Sequence, residues 1–331
     1  MINKNLINIQ YYESIGQVLL SLPGASPLSH LKTLGLHYEG ADEDEFLCLH
    51  YETFGRQWPP YHAVFWSLEE EKEMFRSHLF SFFEGEDEFK KRVEFNKESP
   101  DHIGIHFLFL SHLLKKEFES DCVKTKAKRK HFVKSYLFPF SIVLLLTLER
   151  EAATPFKELA GDLFKRFAED FKETLGEGLS CREDIEAEIK LRREELFPLL
   201  NNKESGLKEI TAYLLNPSKI GFFLGQKSLL NCARSCELPF GFGKRTELLL
   251  QLFYTSLDFE KLGSLIESLK EEVEKWVYFY KEKKKELEAL SFYWEGLIAR
   301  SNMAIELLTE MKSISEKKET RSLGDLKTKH L

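Results

Sequence analysis

An all-α helical bundle is the fold this sequence predicts, and three observations carry the prediction. Apolar residues recur at helical spacing through most of the chain: Ile15 with Val18, Leu19 and Leu20, Phe75 with Leu79, Phe82 and Phe83, and Ile103 with Phe107, Leu110 and Leu114. No sustained two-residue alternation marks a strand ladder; Glu45 to Tyr51 alternates briefly, and reads equally as the last turns of a helix leading to the Trp58-Pro59-Pro60 break. A hydrophobic content of 43%, with 13% aromatic residues over 331 positions, supplies core for one large or two ordinary domains.

The first helix is expected early. Asn, Gln, Glu and Ser interrupt the opening residues before any signal-peptide core can form, which argues against export. Next comes a rigid, ring-rich bend, Trp58, Pro59, Pro60, Tyr61, Phe65 and Trp66. Its bland reading is a proline-broken loop on the bundle; its functional reading is one wall of a peptide groove, because aromatic rings give large apolar contact at little entropy cost.

Ser99-Pro100-Asp101-His102 then precedes the apolar run Ile103 to Leu114. Ser99 is expected as N-cap, Pro100 at the first helical position where no amide donor is needed, and Asp101 against the positive end of the helix dipole. His102 falls in the same first turn, where the dipole disfavours and Asp101 favours its charged form. The helix that follows is apolar on nearly every side, so it is expected at the centre of the bundle.

Lys124 to Lys130 is a basic run that reads as a solvated connection. The chain is acidic overall, with net charge −7, and offers no basic footprint for nucleic acid or anionic lipid. Tyr136 to Leu148 is the most apolar segment; it is shorter than the ~20 residues a bilayer requires and contains Pro139, so a buried helix is expected and no stable membrane insertion. Five cysteines without framework spacing fit a reducing compartment, and the cytoplasm is the expected location.

Composition changes near residue 175. Glu177 to Glu195 reads as a charged helix ending near Pro198, a bridge within residues 176–205. Residues 206–312 form a further helical region, with a helix-turn-helix followed by a Gly-rich turn and another helix. There Leu262, Ile266, Leu269, Val273, Trp276 and Tyr280, resuming at Leu287, Leu290, Trp294 and Leu297, trace a narrow seam on a long helix or helical pair. That seam could pack on the first domain or on a second subunit. Residues 313–331 are polar and expected to fray.

Three stretches resemble one family. The string SPDHIGIHFLFLSHL is similar to the signature helix of the TorD/DmsD cytoplasmic chaperones for molybdenum enzymes, with Pro100, Asp101, His102, Phe109 and Leu113 matching. His106 and Leu108 replace that pattern's two acids, Leu110 its methionine and Phe107 the leucine after the first acid. In HYETFGRQWPPYHAVFW, Tyr51, Phe54, Pro60, Tyr61 and Val64 fit the family's earlier segment; His50, His62 and Ala63 stand where it carries Glu, Glu and Ser, and Gly55 where it carries Phe. HFVKSYLFPFSIVLLLTLEREAATPFKELAGDLF resembles the later helix pair, with Tyr136 to Pro139 where a leucine-tryptophan-proline run is common. The resemblance spans about residues 8 to 175, so 1–175 is the expected TorD-like domain; longer relatives also carry a passage similar to the C-terminal part.

His102 and His106 have the i, i+4 separation of zinc proteases, but Ile103-Gly104-Ile105 between them holds no Glu to act as base. His106 and His112 read more simply as core or groove histidines bonded to carbonyls. Cys232 and Cys236 lie one helical turn apart with no second pair to complete a ligand set, and read as buried small hydrophobes. Gly241 to Thr246 lacks the first glycine of a phosphate loop and has Arg245 where Ser or Thr should bind magnesium.

The resemblance implies a chaperone and not an enzyme, with no cofactor or metal. Its expected client is a molybdopterin oxidoreductase, bound through its N-terminal twin-arginine signal peptide and its body and helped to fold and take up cofactor before export. Tyr51, Trp58, Pro60, Tyr61, Phe65, Pro100, Asp101, His102 and His106 are the expected peptide-binding residues, with the leader's apolar core on Trp58, Tyr61 and Phe65 and one of its cations on Asp101. Three alternatives stand beside it: a nitrate-reductase-type chaperone for a subunit that is not exported, a helical metal-dependent enzyme using His102, His106 and a carboxylate, and a structural homodimer built on the Leu262 to Leu297 seam. The resemblance also raises a guanine-nucleotide contact, for which the sequence contains no recognisable loop.

Overall fold

The protein is all-α in a computed structural model that describes residues 4–20, 26–39, 42–65, 69–93, 99–120, 122–176, 190–191, 193–194 and 206–328. The chain divides into two compact units, Met1–Glu177 and Gly178–Leu331, beside the compositional change at residue 175. Most of the expected charged bridge, and Trp66, lie outside the described residues.

In the first unit, α1 (Lys4–Leu20), α2 (Pro27–Thr33) and α3 (Glu43–His50) lead into a π-helical turn, Tyr51–Gln57, and a short 3-10 turn, His62–Phe65. There follow α4 (Glu69–Phe83), α5 (Asp87–Arg92), α6 (Ile103–Ser120), α7 (Val123–Phe132), a second π-helical turn (Val133–Leu137), α8 (Phe138–Glu151), α9 (Phe156–Asp170) and α10 (Lys172–Gly176). The ambiguous Glu45 to Tyr51 stretch is helical because Asp42 caps it, accepting the Glu45 amide at 2.9 Å, and three acids follow in the first turn where the dipole favours them.

Helix α6 is central, as its pattern implies: every residue from Ile103 to Leu113 is buried. Helix α1 lies along it where two glycines face. A Cβ on Gly16 would stand 2.6 Å from Leu108 Cγ and 2.8 Å from the Gly104 carbonyl, so only hydrogen fits between the backbones. Ser111 Oγ pins this packing by donating to the Ile9 carbonyl at 2.9 Å, and Tyr12 Oη ties α1 to α9 by donating to Asp170 Oδ2 at 2.9 Å.

Helix α7, the second π-helical turn and α8 run on as one helix from Val123 to Glu151. By length and composition its 29 residues suffice to cross a bilayer, more than the expected Tyr136 to Leu148. Its apolar half is core, with Ser141 to Leu148 all buried, and the hydroxyls of Ser141 and Thr147 return to the Leu137 and Val143 carbonyls at 2.7 Å. The π-helical turn sits where Pro139 withholds an amide and crowds the preceding turn. The basic run is therefore helical, not a connection. Lys128 donates to Glu86 at 2.9 Å and Arg129 to Glu117 at 2.6 Å.

The second unit contains α11 (Leu207–Leu214), α12 (Pro217–Ile220), α13 (Gln226–Ser235), α14 (Arg245–Asp258), α15 (Leu262–Glu286) and α16 (Ser291–Thr328). Lys284 meets Glu295 at 2.7 Å and Lys312 meets Glu267 at 2.9 Å, which fixes α15 and α16 as an antiparallel pair. The leucine-rich seam is filled within the chain: Leu265, Ile266, Leu269, Val273, Trp276 and Tyr280 are buried with Trp294 and Leu297. The dimer reading thus loses its proposed contact. Helix α16 continues to Thr328, which corrects the frayed tail expected from residue 313; no proline interrupts the stretch, and Lys312 and Glu316 pair across one turn at 3.9 Å.

Candidate functional site

The two segments singled out by their residues meet. Tyr61 and His102 form an isolated antiparallel bridge, His62 N–H donates to the Asp101 carbonyl at 3.0 Å, and Ile103 N–H donates to the Pro60 carbonyl at 2.8 Å. Residues 60–65 and 99–103 thereby make a double turn at the entrance of α6.

The local geometry differs from the expected helix start. The helix begins at Ile103, while Ser99 to His102 close a turn through the His102 amide and the Ser99 carbonyl at 3.0 Å. His102 takes the capping role assigned to Ser99: its Nδ1 accepts the Gly104 amide at 3.0 Å, from the second helical residue. An accepting Nδ1 requires the proton on Nε2 and a neutral ring. Burial, with the neighbouring His50 and His106, pushes this imidazole's pKa down to about 3.

Asp101 faces inward and is 1% exposed. One carboxylate oxygen accepts the Ala63 amide at 2.9 Å, and the other accepts the Ser99 hydroxyl and lies 3.7 Å from Arg76 Nε on α4. Its charge is spent on joining the two turns and α4. Asp101 therefore does not meet a cation of a bound leader, as expected from sequence; it holds the double turn together.

The other expected contact residues are largely internal too. Trp58, Pro60, Phe65, Pro100, His102 and His106 are all buried, because the ring-rich bend packs its side chains onto α6 and α8 instead of presenting them as a groove wall. Tyr61 is half-buried, its ring edge-on to His102 at 4.8 Å between centroids, and Tyr51 alone is fully exposed, at 63%. Gly55 answers Tyr51: a Cβ there would come within 2.6 Å of the Tyr51 ring.

A cluster of imidazoles lies behind the double turn. His62 is wholly buried between Phe140 at 4.3 Å, His106 at 4.3 Å and Phe75 at 4.9 Å. Neither of its ring nitrogens has a hydrogen-bond partner among the described residues. His106 donates from Nε2 to the Pro100 carbonyl at 3.1 Å, as a core histidine should, and its Nδ1 is buried without a partner. Burial lowers the pKa of both rings, that of His106 to about 4. The rings of His62 and His106 thus touch in the interior, behind the double turn.

Metal chemistry finds little purchase. Nδ1 of His102 is occupied by the Gly104 amide and Nε2 of His106 by the Pro100 carbonyl. Among the described residues no group of three or more His, Cys, Asp or Glu side chains could hold a metal ion. His112 is bonded to a carboxylate, not a carbonyl: Glu86 accepts from it at 2.9 Å and from Lys116 at 2.8 Å, as well as from Lys128. Burial raises the Glu86 carboxyl, but these donors outweigh it and hold it down at about 2. Cys232 and Cys236 are buried, and burial pushes the Cys232 thiol up to about 11, consistent with a packing role. Residues 241–244 bend at Gly243, which has φ 151°, and lead into α14 at Arg245.

Arg76 and Phe140 belong to this site and were not singled out from sequence. A cation among the acids of α4 was the available signal for Arg76; Phe140 is one of many phenylalanines, with no mark of its own. No family model, no curated protein and no solved structure matches the chain.

Proposed function

We propose that this chain is an assembly chaperone of the kind its TorD/DmsD resemblance implies, binding the N-terminal leader and body of a molybdopterin oxidoreductase before export. One observation carries the reading. The two stretches that most resemble the family, 39 residues apart at Pro60-Tyr61 and Ser99-Pro100, are built into one double turn by the Tyr61 and His102 bridge. An all-helical unit around a buried α6 fits the same role. No turnover is invoked, and the cytoplasm is the proposed site of action.

The contact surface is narrower than the sequence-derived set. Tyr61, Ala63 and Val64 are half-buried at the rim of the double turn, and Met74 is exposed on α4 beside the residues that contact it. Each large apolar side chain buried gives ~1.5–3 kcal/mol, opposed by ~1–2 kcal/mol per residue for ordering the peptide backbone. A few anchors therefore net moderate affinity, around micromolar or about −8 kcal/mol, which permits release once the client has folded.

Calorimetric titration of the full chain with leader peptides tests this. Micromolar binding, weakened at least tenfold when the apolar leader core is made polar, is the expected result. Binding indifferent to replacement of the twin arginines would favour the nitrate-reductase-type role. No heat with any leader at about 100 μM peptide would remove the leader-binding reading.

A further inference from the structure

The most conspicuous unused groups in the molecule are the two touching imidazoles behind the double turn. His62 has no exposed surface, its ring centroid lies 4.3 Å from that of His106, and both of its nitrogens are unpartnered among the described residues. A neutral imidazole can occupy such a site at the cost of one unpaired donor and one unpaired acceptor; an imidazolium cannot, because both N–H groups and a full charge would be left without an acceptor.

Among the described residues the surroundings offer no remedy. From α4 the nearby charged group is Arg76, a cation. From the entrance of α6 they are Asp101, His102 and His106, and His50 from the end of α3 lies close enough to interact with His102. Helix α8 contributes Phe140, and the π-helical turn before it Tyr136, whose ring lies tilted 5.9 Å from that of Phe75 on α4. Among the described residues Asp101 is the carboxylate in this set, and it is already engaged by Ala63, Ser99 and Arg76. A proton arriving at His62 or His106 is relieved most cheaply by moving the short segment that carries His62. That segment is held to α6 by the bonds His62 N–H to Asp101 O, Ile103 N–H to Pro60 O and Ala63 N–H to Asp101 Oδ2.

We propose that His62 and His106 form an acid-sensitive latch: as neutral rings they let residues 60–65 seal the entrance of α6, and on protonation they release that segment and uncover the rings of Phe65, Phe75 and Phe140. The uncovered surface is apolar and lies under the double turn. Opening needs no client, so the latch stands or falls separately from the leader-binding reading.

Amide hydrogen exchange on the full chain, without peptide and corrected for the intrinsic pH dependence of exchange, tests the latch. Between about pH 7.5 and 5.5, residues 61–64 and 102–104 are expected to exchange at least roughly tenfold faster while α9 stays protected. The variant His62→Phe should remain closed at both values. Equal protection of wild type at both pH values, or the same acceleration in His62→Phe, overturns the proposal. Should that variant fail to fold, the imidazole C–H resonances of wild type decide it: a His62 transition that coincides with opening supports the latch, and an ordinary transition near pH 6.5 without opening refutes it.

Discussion

Replacing Asp101 with alanine is expected to destabilise the first unit by about 3–5 kcal/mol, a large share of the 5–15 kcal/mol typical of a domain. The carboxylate is 1% exposed, and its removal orphans the Ala63 amide and the Ser99 hydroxyl and takes away the anion beside Arg76. Ala63 and Ser99 are half-buried, so leaving these two groups without a partner costs toward the lower end of about 1–3 kcal/mol each. Asp101→Asn should cost less, because the amide oxygen can still accept one of these bonds. Urea unfolding followed by near-ultraviolet dichroism measures both; a change below about 1 kcal/mol for the alanine variant would mean that the joint between the turns is not held by this side chain.

Acid is the second strong perturbation. Three imidazoles, His62, His102 and His106, have folded-state pKa values lowered by burial, to about 3 for His102 and about 4 for His106, against 6.5 in the unfolded chain. As pH falls below 6.5 the unfolded chain takes up protons that the folded chain refuses, so stability is complete above that value and drains away toward pH 4. Each group contributes up to ~1.4 kcal/mol per pH unit, and coupling among the three reduces the sum, so a loss of about 4–8 kcal/mol by pH 4.5 is expected. The Glu86 carboxyl, held at about 2, is protonated in the folded chain only below this range and adds its own loss as pH falls through 4.5 toward 2. Denaturation midpoints at a series of pH values check the slope; a flat profile between pH 7 and 5 would show that these rings are hydrated and titrate normally.

What could be read from sequence follows physical lines. The buried length of α6 was legible because large apolar side chains fall on nearly every side of it from Ile103 to Leu113, and the seam of α15 and α16 because it repeats at helical spacing, though not that these two helices fill it between them. The direction of a short polar side chain was not. Ser99, Pro100 and Asp101 satisfy every rule for a helix start, yet a bridge to Tyr61 turns them into a separate loop, and His102 becomes the cap. Long-range pairing of that kind leaves no periodic trace in the chain. Burial of Trp58, Phe65 and His106 escaped for a related reason: an aromatic bend has the same composition whether its rings line a groove or fill a core, and only the packing of α4 and α8 against it decides.

The extent of α7 shows a different shortfall. Charge runs are usually solvated, but here Glu86, remote in sequence, accepts from Lys128 and Glu117 accepts from Arg129, and the helix runs on into the apolar segment. In the same way the tail from residue 313 is polar enough to read as disordered while containing nothing that breaks a helix before Gly324.

An exchange footprint of a twin-arginine leader peptide on the full chain tests most directly whether the double turn is the recognition element. Added protection at residues 58–65 and 99–106, with the second unit unchanged, is the predicted result; protection confined to residues 206–328, or spread evenly without focus on the double turn, would contradict it.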